Sequence, residues 1–104
     1  MHIVLLICIF IHTMILMEFN WDETKRQINL GKHGYDFADA HRVFAGPTVT
    51  VEDARDYGEQ RFNTTGFLGI AIVTVSHTET DDEIRIISLR KADADEIETL
   101  ARYL

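Results

Sequence analysis

The spacing of apolar and polar residues changes along the chain and predicts its elements. Residues 18–21 alternate in the manner of a short strand. Residues 23–33 and 37–45 then show the spacing of helices, with apolar side chains of the second at i, i+3 and i+7. Asp22 and Asp36 are suitable N-caps, because their carboxylates can accept from the first backbone N–H groups of each helix. A glycine and a Gly-Pro pair mark the two helix ends.

After the second helix the period is two, which predicts strands at 48–52, 59–67, 70–78 and 83–90. The connections between these strands have the length of hairpins, so we expect an antiparallel meander. A final helix is expected to begin at Asp93, where a D-x-x-E pattern matches a capping box.

This order of elements predicts an α+β fold. We expect a small antiparallel sheet of four to five strands, with two N-terminal helices and a C-terminal helix covering one face. The 104 residues are enough for one domain and too few for two.

The first 16 residues, MHIVLLICIFIHTMIL, stand apart from this pattern. They are almost entirely apolar, and every Lys and Arg lies after them. The run is shorter than the roughly 20 residues that a membrane-spanning helix needs, and it lacks the basic start and cleavage site of a secretory signal. We expect residues 1–16 to come from a misassigned start, with the domain at 17–104. An uncleaved membrane anchor is the second alternative and a signal peptide the third.

Charge and cysteine content narrow the classes of function. The formal net charge is −7, whereas proteins that coat nucleic acid without specificity are basic. An acidic chain can still hold a local basic site, and it suits a basic protein partner. Cys8 is the single cysteine, so no disulfide within the chain is possible, which agrees with a reducing compartment such as the cytoplasm. No Cys/His spacing suggests a zinc site.

Four polar side chains of the first predicted helix point in one direction. Lys25, Asn29, Lys32 and His33 stand at i, i+4, i+7 and i+8, which covers an arc of about 100°. The commoner meaning of such a stripe is a solvated helix face, with basic groups near the negative end of the helix dipole. The other meaning is one wall of a binding site.

The predicted strand at 83–90 carries arginines among isoleucines. An arginine in this setting must pair with a carboxylate such as Glu79, extend to solvent, or line a site. Arg90 and Lys91 form a small basic spot, and arginine suits phosphate because its planar fork donates two parallel hydrogen bonds. Strict alternation divides the strand into two faces, one with Ile84, Ile86, Ser88 and Arg90 and the other with Arg85, Ile87 and Leu89.

Glu59 and Arg61 are two residues apart on a predicted strand and therefore share a face. They are expected either to form a structural ion pair or to act at a site, with Arg61 binding phosphate and Glu59 positioning it or accepting a proton. His77 ends the central strand. We expect its side chain to be half exposed, although it could reach a site.

Three blocks of sequence together resemble the BrnT family of bacterial toxins. They are FNWDETKRQINLGKHGYDFADAHRVF, then D…YGEQRF…G, then RIISLRKA, in the order and at about the spacing of the family. The resemblance runs from about Glu18 to Leu104. The chain departs from the family pattern where TVSHTET replaces a stretch similar to VVYTER, and at Leu89, where a smaller residue is commoner.

The resemblance implies a RelE-like fold, ribonuclease activity and a role as the toxin of a type II toxin–antitoxin pair. The implied partner is a BrnA-like antitoxin whose DNA-binding part represses the operon, so that this chain would meet operator DNA only through the antitoxin. No membrane contact is expected if residues 1–16 are a false start. The family's polar positions map here onto Lys25, Asn29, Lys32, His33, Glu59, Arg61, Arg85, Ser88, Arg90 and Lys91.

RNA can be cut by attack of its own 2′-OH on the adjacent phosphate. The reaction needs a base, an acid and cations for the phosphate oxygens, and we expect it to use no metal or cofactor. An alternative is a catalytically degenerate module that only engages its antitoxin, and the departures near His77 keep this alternative open. For the active form we expect phosphate binding by Arg61, Arg85 and Arg90, acid or base chemistry at His33 with help from Lys32, an orienting or basic role for Glu59, and RNA binding by Lys25, Asn29, Ser88 and Lys91.

Overall fold

The structure, a computed structural model, describes residues 17–104. The expectations for residues 1–16 fall outside this range. Among the described residues no helix is both long and apolar enough to cross a membrane. The elements are β1 at Glu18–Trp21, α1 at Glu23–His33, a 3₁₀ turn at Phe37–Asp39, α2 at Ala40–Phe44, β2 at Thr48–Asp53, β3 at Arg61–Leu68, β4 at Ala71–Glu79, β5 at Glu83–Lys91 and α3 at Ala94–Arg102.

The sheet has five strands in the order β1-β5-β4-β3-β2. Strands β2 to β5 form the predicted antiparallel meander, and the predicted α+β class is confirmed. β1, however, pairs with β5 in parallel, with Asn20 opposite Arg85. The sheet is therefore mixed, and the expectation of an antiparallel sheet was wrong for this strand. Alternation identified β1 as a strand, but the direction of its partner depends on contacts far along the chain.

Capping interactions set both ends of α1 where the sequence predicted them. The carboxylate of Asp22 accepts a hydrogen bond from the backbone N–H of Lys25 at 3.0 Å. At the other end, Gly34 has a φ of 77° and donates its backbone N–H to the Leu30 carbonyl at 2.9 Å. A left-handed residue at this position favours glycine.

The second predicted helix is not one continuous α-helix. Its first three residues form the 3₁₀ turn, which Asp36 caps by accepting from the N–H of Ala38 at 2.9 Å. Only the five residues of α2 then take α-helical form. Phe37 and Phe44 at the two ends of this segment are both buried against the sheet, so packing fixes a shape that periodicity alone does not specify.

The sheet buries different residues on its two faces. The core face packs against the segment Phe37–Phe44 through a cluster that includes Val73, Val75, Ile84, Ile86 and Leu89. On the opposite face, here called the cleft face, α3 packs Leu100 against Val49, with Phe67 and Ile72 beside them. α3 covers one end of the cleft face, and the polar side chains described below lie at the other end.

A bulge in β5 reverses the alternation of its side chains. Ile86 pairs with His77 and Ser88 pairs with Ser76, so Ile87 is an extra residue between them. Leu89 consequently joins the core cluster. The two faces predicted for this strand were therefore wrong beyond Ile86, because strict alternation contains no bulge: Ser88 and Arg90 share the cleft face with Arg85.

His77 is fully buried on the core face, so the expectation of a half-exposed side chain was also wrong. Its Nε2 forms a 2.7 Å hydrogen bond with Thr64 Oγ1, and the rings of Phe44 and Phe62 flank the imidazole. Burial lowers the pKa of His77 to about 4. The histidine belongs to the core, on the face of the sheet away from the candidate site.

Candidate active site

Two arginines share one carboxylate on the cleft face. Nη2 of Arg85 donates to both carboxylate oxygens of Glu59 at 2.8 Å, and Nε of Arg61 donates to Oε2 of Glu59 at 3.1 Å. Hydrogen bonds from Arg61 and Arg85 hold the pKa of Glu59 below its ordinary value. The sequence suggested Glu79 as a partner for Arg85, and the structure gives that role to Glu59.

The sheet explains why these residues meet. Arg61 opens β3 and Arg85 lies on β5, with β4 between them. Neighbouring strands are about 4.8 Å apart, so roughly 10 Å separates β3 from β5. Long arginine side chains span this gap toward a common carboxylate, and Thr78, which pairs with Arg85 on β4, is too short to block them.

The cluster opens into a cleft of about 440 Å³ between α1 and the sheet. Lys25 of α1 lines this cleft together with the predicted site residues Glu59, Arg61 and Arg85. The structure thus brings one residue of the helix stripe, Lys25, to the same cleft as the sheet residues. The other lining residues are Asn20, Trp21, Asp22, Ile86 and Ile87.

A smaller cleft of about 200 Å³ continues along α1 and shares Lys25 and Ile87 with the first. It is lined by three further predicted residues, Lys32, His33 and Ser88. Lys32 is exposed and His33 is half-buried. The predicted polar stripe therefore faces a groove in which the larger cleft holds the arginines and the smaller one holds the histidine.

Asn29 also lines the smaller cleft, but the residue is only 7% exposed and its side chain is hydrogen-bonded to the backbone. Its Nδ2 donates to the carbonyl of Leu89 at 2.8 Å, and its Oδ1 accepts from the N–H of Leu89 at 3.2 Å. Nδ2 also donates to the carbonyl of Tyr35 at 3.2 Å. β1 pairs with β5 only as far as Ile86. Further along β5, the Asn29 amide makes the hydrogen bonds that the backbone of a neighbouring strand would make, and it thereby fixes α1 to the sheet.

Arg90 and Lys91 are predicted site residues that line neither cleft. Arg90 forms two parallel hydrogen bonds, at 2.8 and 3.0 Å, with the carboxylate of Glu96 in α3. Burial by itself raises the pKa of Glu96, but hydrogen bonds from Arg90 and from the N–H of Asp93 bring it below its ordinary value. Lys91 is exposed at the end of β5.

Sequence reasoning missed several polar residues near the cluster. Asn20 lines the large cleft because β1 lies beside β5 in parallel, which alternation does not indicate. Asn63 and Ser76 pair across β3 and β4 on the cleft face, and the Ser76 hydroxyl donates to Asn63 at 2.6 Å. The period-two pattern could have found Asn63, which lies two residues after Arg61.

The part of the chain that the structure describes has no group of three or more His, Cys, Asp or Glu side chains placed to hold a metal ion.

Comparisons with known proteins agree with the resemblance. The family model described as "Ribonuclease toxin, BrnT, of type II toxin-antitoxin system" matches residues 21–96. The chain is similar to the 1.1 Å crystal structure of the Brucella abortus ribonuclease toxin BrnT, with 34% sequence identity and a TM-score of 0.58. That match covers 74% of this chain and 97% of the Brucella chain. No curated protein matches the sequence. The chain belongs to the BrnT family of ribonuclease toxins of type II toxin–antitoxin systems.

Proposed function

We propose that this chain cuts RNA without a metal or cofactor, in the groove between α1 and β5. The observation that carries the proposal is that Lys25 of α1 lines the same cleft as Arg61 and Arg85 of the sheet. Three cations against the two carboxylates of Asp22 and Glu59 leave the cleft with one net positive charge, in a chain of net charge −7, and so favour binding of an anion there. In a ribonuclease-toxin family that anion is the phosphodiester of RNA.

The two arginines keep donors for a phosphate. An arginine has five N–H donors. Within residues 17–104, Arg61 donates only through Nε and Arg85 only through Nη2. The remaining guanidinium N–H groups can therefore bind the non-bridging phosphate oxygens, which become more negative in the transition state.

Glu59 acts by orienting the arginines. Its carboxylate is held by both guanidinium groups, and these hydrogen bonds lower its pKa. A carboxylate stabilised in its ionised form is a weak base for a 2′-OH proton. Of the two roles that the sequence left open, orientation is the one that this geometry favours.

We assign the proton transfer to His33. His33 lies in the smaller cleft, eight residues and about 12 Å along the helix axis from Lys25, so the scissile phosphate must lie between the two clefts, within reach of both His33 and the arginines. The 2′-oxygen attacks phosphorus while the 2′-proton passes to a base, the P–O5′ bond breaks, and the 5′-oxygen takes a proton from an acid. The products are a 2′,3′-cyclic phosphate and a 5′-hydroxyl. His33 serves as one of these two groups, Lys32 assists it, and Lys25 and Ser88 contact the RNA along the groove.

Two of the residues suggested by the sequence, Asn29 and Arg90, have other roles in this proposal. Asn29 positions α1, and Arg90 ties α3 to the sheet, since each side chain is engaged with the protein. Lys91 contacts the RNA backbone outside the two clefts.

The partner is a BrnA-like antitoxin encoded next to this chain, and contact with operator DNA is indirect, through that antitoxin. The pair acts in the cytoplasm, where cleavage of RNA stops translation and growth.

The test is cleavage of a labelled single-stranded RNA in the presence of EDTA, with identification of the product ends. We expect a 2′,3′-cyclic phosphate from the wild type and at least a 100-fold loss for Arg85→Ala, in the range of removing one transition-state donor. Arg102→Ala is the matched control, because Arg102 is an exposed arginine paired with Glu98 on α3. Full activity of Arg85→Ala would refute the site.

Expression in cells separates the active toxin from the degenerate alternative. We expect growth arrest that co-expression of the neighbouring antitoxin relieves. A chain that binds the antitoxin but neither cuts RNA nor stops growth would be the degenerate module.

A further inference from the structure

Tyr57 lies in the connection between β2 and β3 and touches the arginine that opens β3. The Cζ of Arg61 lies 3.9 Å from the centre of the Tyr57 ring. At this distance a guanidinium is attracted to the face of the ring by a cation–π interaction. Arg61 is thus held from two sides, by the Tyr57 ring and by the carboxylate of Glu59.

The Tyr57 ring is itself fixed by the strand opposite Arg61. Asp53 ends β2 and pairs with Arg61 across the sheet. The hydroxyl of Tyr57 donates to Oδ2 of Asp53 at 3.1 Å. The phenol therefore connects the last residue of β2 to the side chain of Arg61 on β3. The pKa of Asp53 lies below its ordinary range, first because Arg55 hydrogen-bonds to it and to a smaller extent because Tyr57 does.

The loop is built to return Tyr57 to the sheet. Asp53 accepts from the backbone N–H of Arg55 at 3.2 Å and from its guanidinium at 2.8 and 3.0 Å. Asp56 then accepts from the N–H of Gly58 at 2.9 Å, and Gly58 has a φ of 74° that glycine adopts without strain. These contacts hold the seven residues between the two strands in one turn.

We propose that Tyr57 is a positioning residue for Arg61 through the face of its ring, and that the hydrogen bond from its hydroxyl to Asp53 is secondary. Cation–π stacking against the flat face of the guanidinium leaves its edge free. The Nε edge points to Glu59, and the other N–H groups can reach a phosphate in the cleft. Without the ring, Arg61 keeps a single hydrogen bond to Glu59 and samples other rotamers. The inference rests on the proposed function, because it assigns Arg61 a phosphate.

The test compares Tyr57→Leu with Tyr57→Phe. Phenylalanine keeps the aromatic face and loses only the hydroxyl, whereas leucine removes the face. We expect kcat/KM for RNA to fall about 10-fold in Tyr57→Leu, which corresponds to the upper range of a cation–π contact, and to stay within about 3-fold in Tyr57→Phe.

Two measurements exclude a merely structural effect. In a double-mutant cycle, Tyr57→Leu should lower kcat/KM less than about 2-fold when Arg61→Ala is already present, because the residue to be positioned is gone. In NMR spectra, the Arg61 side-chain protons should be shifted upfield by the Tyr57 ring current in the wild type and in Tyr57→Phe, and lose that shift in Tyr57→Leu.

The possible outcomes distinguish failure of the positioning role of Tyr57 from failure of the proposed ribonuclease function. An equal loss from Tyr57→Leu with and without Arg61, or an Arg61 resonance that does not depend on the ring, overturns the positioning role. If the wild type cuts no RNA, the proposed function fails, and the same cycle measured on binding of an uncleavable 2′-deoxy oligonucleotide decides the positioning role.

Discussion

The side-chain amide of Asn29 makes hydrogen bonds in both directions with the backbone of Leu89, which lies 60 residues further along the chain. An amide can do this because it carries a donor and an acceptor side by side, as a strand backbone does. The contact fixes the helix that carries Lys25, Lys32 and His33 to the strand that carries Arg85 and Ser88.

The first prediction follows from this contact. Asn29→Ala leaves the N–H and carbonyl of Leu89 without these partners in a buried place, and we expect a loss of about 1–3 kcal/mol in the free energy of unfolding. Urea denaturation measures it. Gln27→Ala is the control, because Gln27 only bonds to Glu23 on the exposed face of the same helix. Unchanged stability with lost RNA cleavage would instead support direct RNA contact by Asn29.

Arg90 should behave as a structural residue. Arg90→Ala removes two hydrogen bonds and leaves the partly buried carboxylate of Glu96 without its cation, which we expect to cost about 1–3 kcal/mol of stability. Cleavage by the folded variant should stay within about 3-fold of the wild type, a difference of less than about 1 kcal/mol in barrier. Thermal unfolding and a cleavage assay below the melting temperature distinguish the structural role from phosphate binding. If Arg90 bound phosphate, its loss would leave Tm unchanged and abolish cleavage.

Glu59 and His33 should differ in their pH dependence. If Glu59 orients the arginines, Glu59→Gln weakens cleavage without changing the pKa values seen in the pH–rate profile. His33→Gln should remove one limb of that profile, because the group that transfers the proton is gone. The pH–rate profiles of the two variants and the wild type test this assignment of roles. Loss of the acidic limb in Glu59→Gln would show that Glu59 is the base.

Stability should depend on pH through His77. Its folded pKa of about 4 lies below the 6.5 of an exposed imidazole, so the unfolded chain binds the extra proton. His77 therefore contributes stability that is fully present above about pH 6.5 and is lost as the pH falls toward 4, in an amount of about 3 kcal/mol.

Chemical denaturation at several pH values tests this against His77→Phe. Comparison with the variant is needed because burial raises the pKa of Glu79, which acts in the opposite direction over an acidic range. An equal slope of stability with pH in wild type and variant would contradict the prediction.

Two glycines should respond oppositely to alanine. A Cβ on Gly66 would lie 2.9 Å from Cγ2 of Thr48, 3.0 Å from Cγ1 of Val43 and 3.2 Å from the carbonyl of Pro47, and we expect a loss of about 1–3 kcal/mol. Gly31 lies within α1, where a Cβ would meet nothing within 4 Å, and Gly31→Ala should add up to about 1 kcal/mol. Thermal unfolding of both variants measures the pair, and stabilisation by Gly66→Ala would refute the packing argument.

Local interactions explain which features the sequence predicts. The caps at Asp22 and Asp36 and the stop at Gly34 each depend on residues a few positions apart, and they stand where the pattern placed them. The stripe of Lys25, Lys32 and His33 depends on helical spacing alone, and it faces one groove. The meander also follows from short connections between neighbouring strands.

Features that depend on distant contacts were not predictable from the pattern. The parallel pairing of β1 brings Asn20 beside Arg85, and the choice of Glu59 as the partner of Arg85 joins two segments that are not neighbours in the sheet. The burial of His77 depends on Phe44, which a different element places over it. Tyr57 lies in a loop, where no period marks a side chain as important.

The extra residue at Ile87 has a consequence for the mutability of β5. Before the bulge, odd-numbered positions such as Arg85 face the groove, and after it even-numbered positions such as Ser88 and Arg90 share that face. One strand therefore contains two segments of opposite parity, and a regular strand of the same length would exchange core and surface from Ile87 onward. Removal of Ile87 would restore strict alternation and leave Ser88 and Leu89 on their present faces, so this is the one position of β5 at which a related toxin can lack a residue and keep the same core.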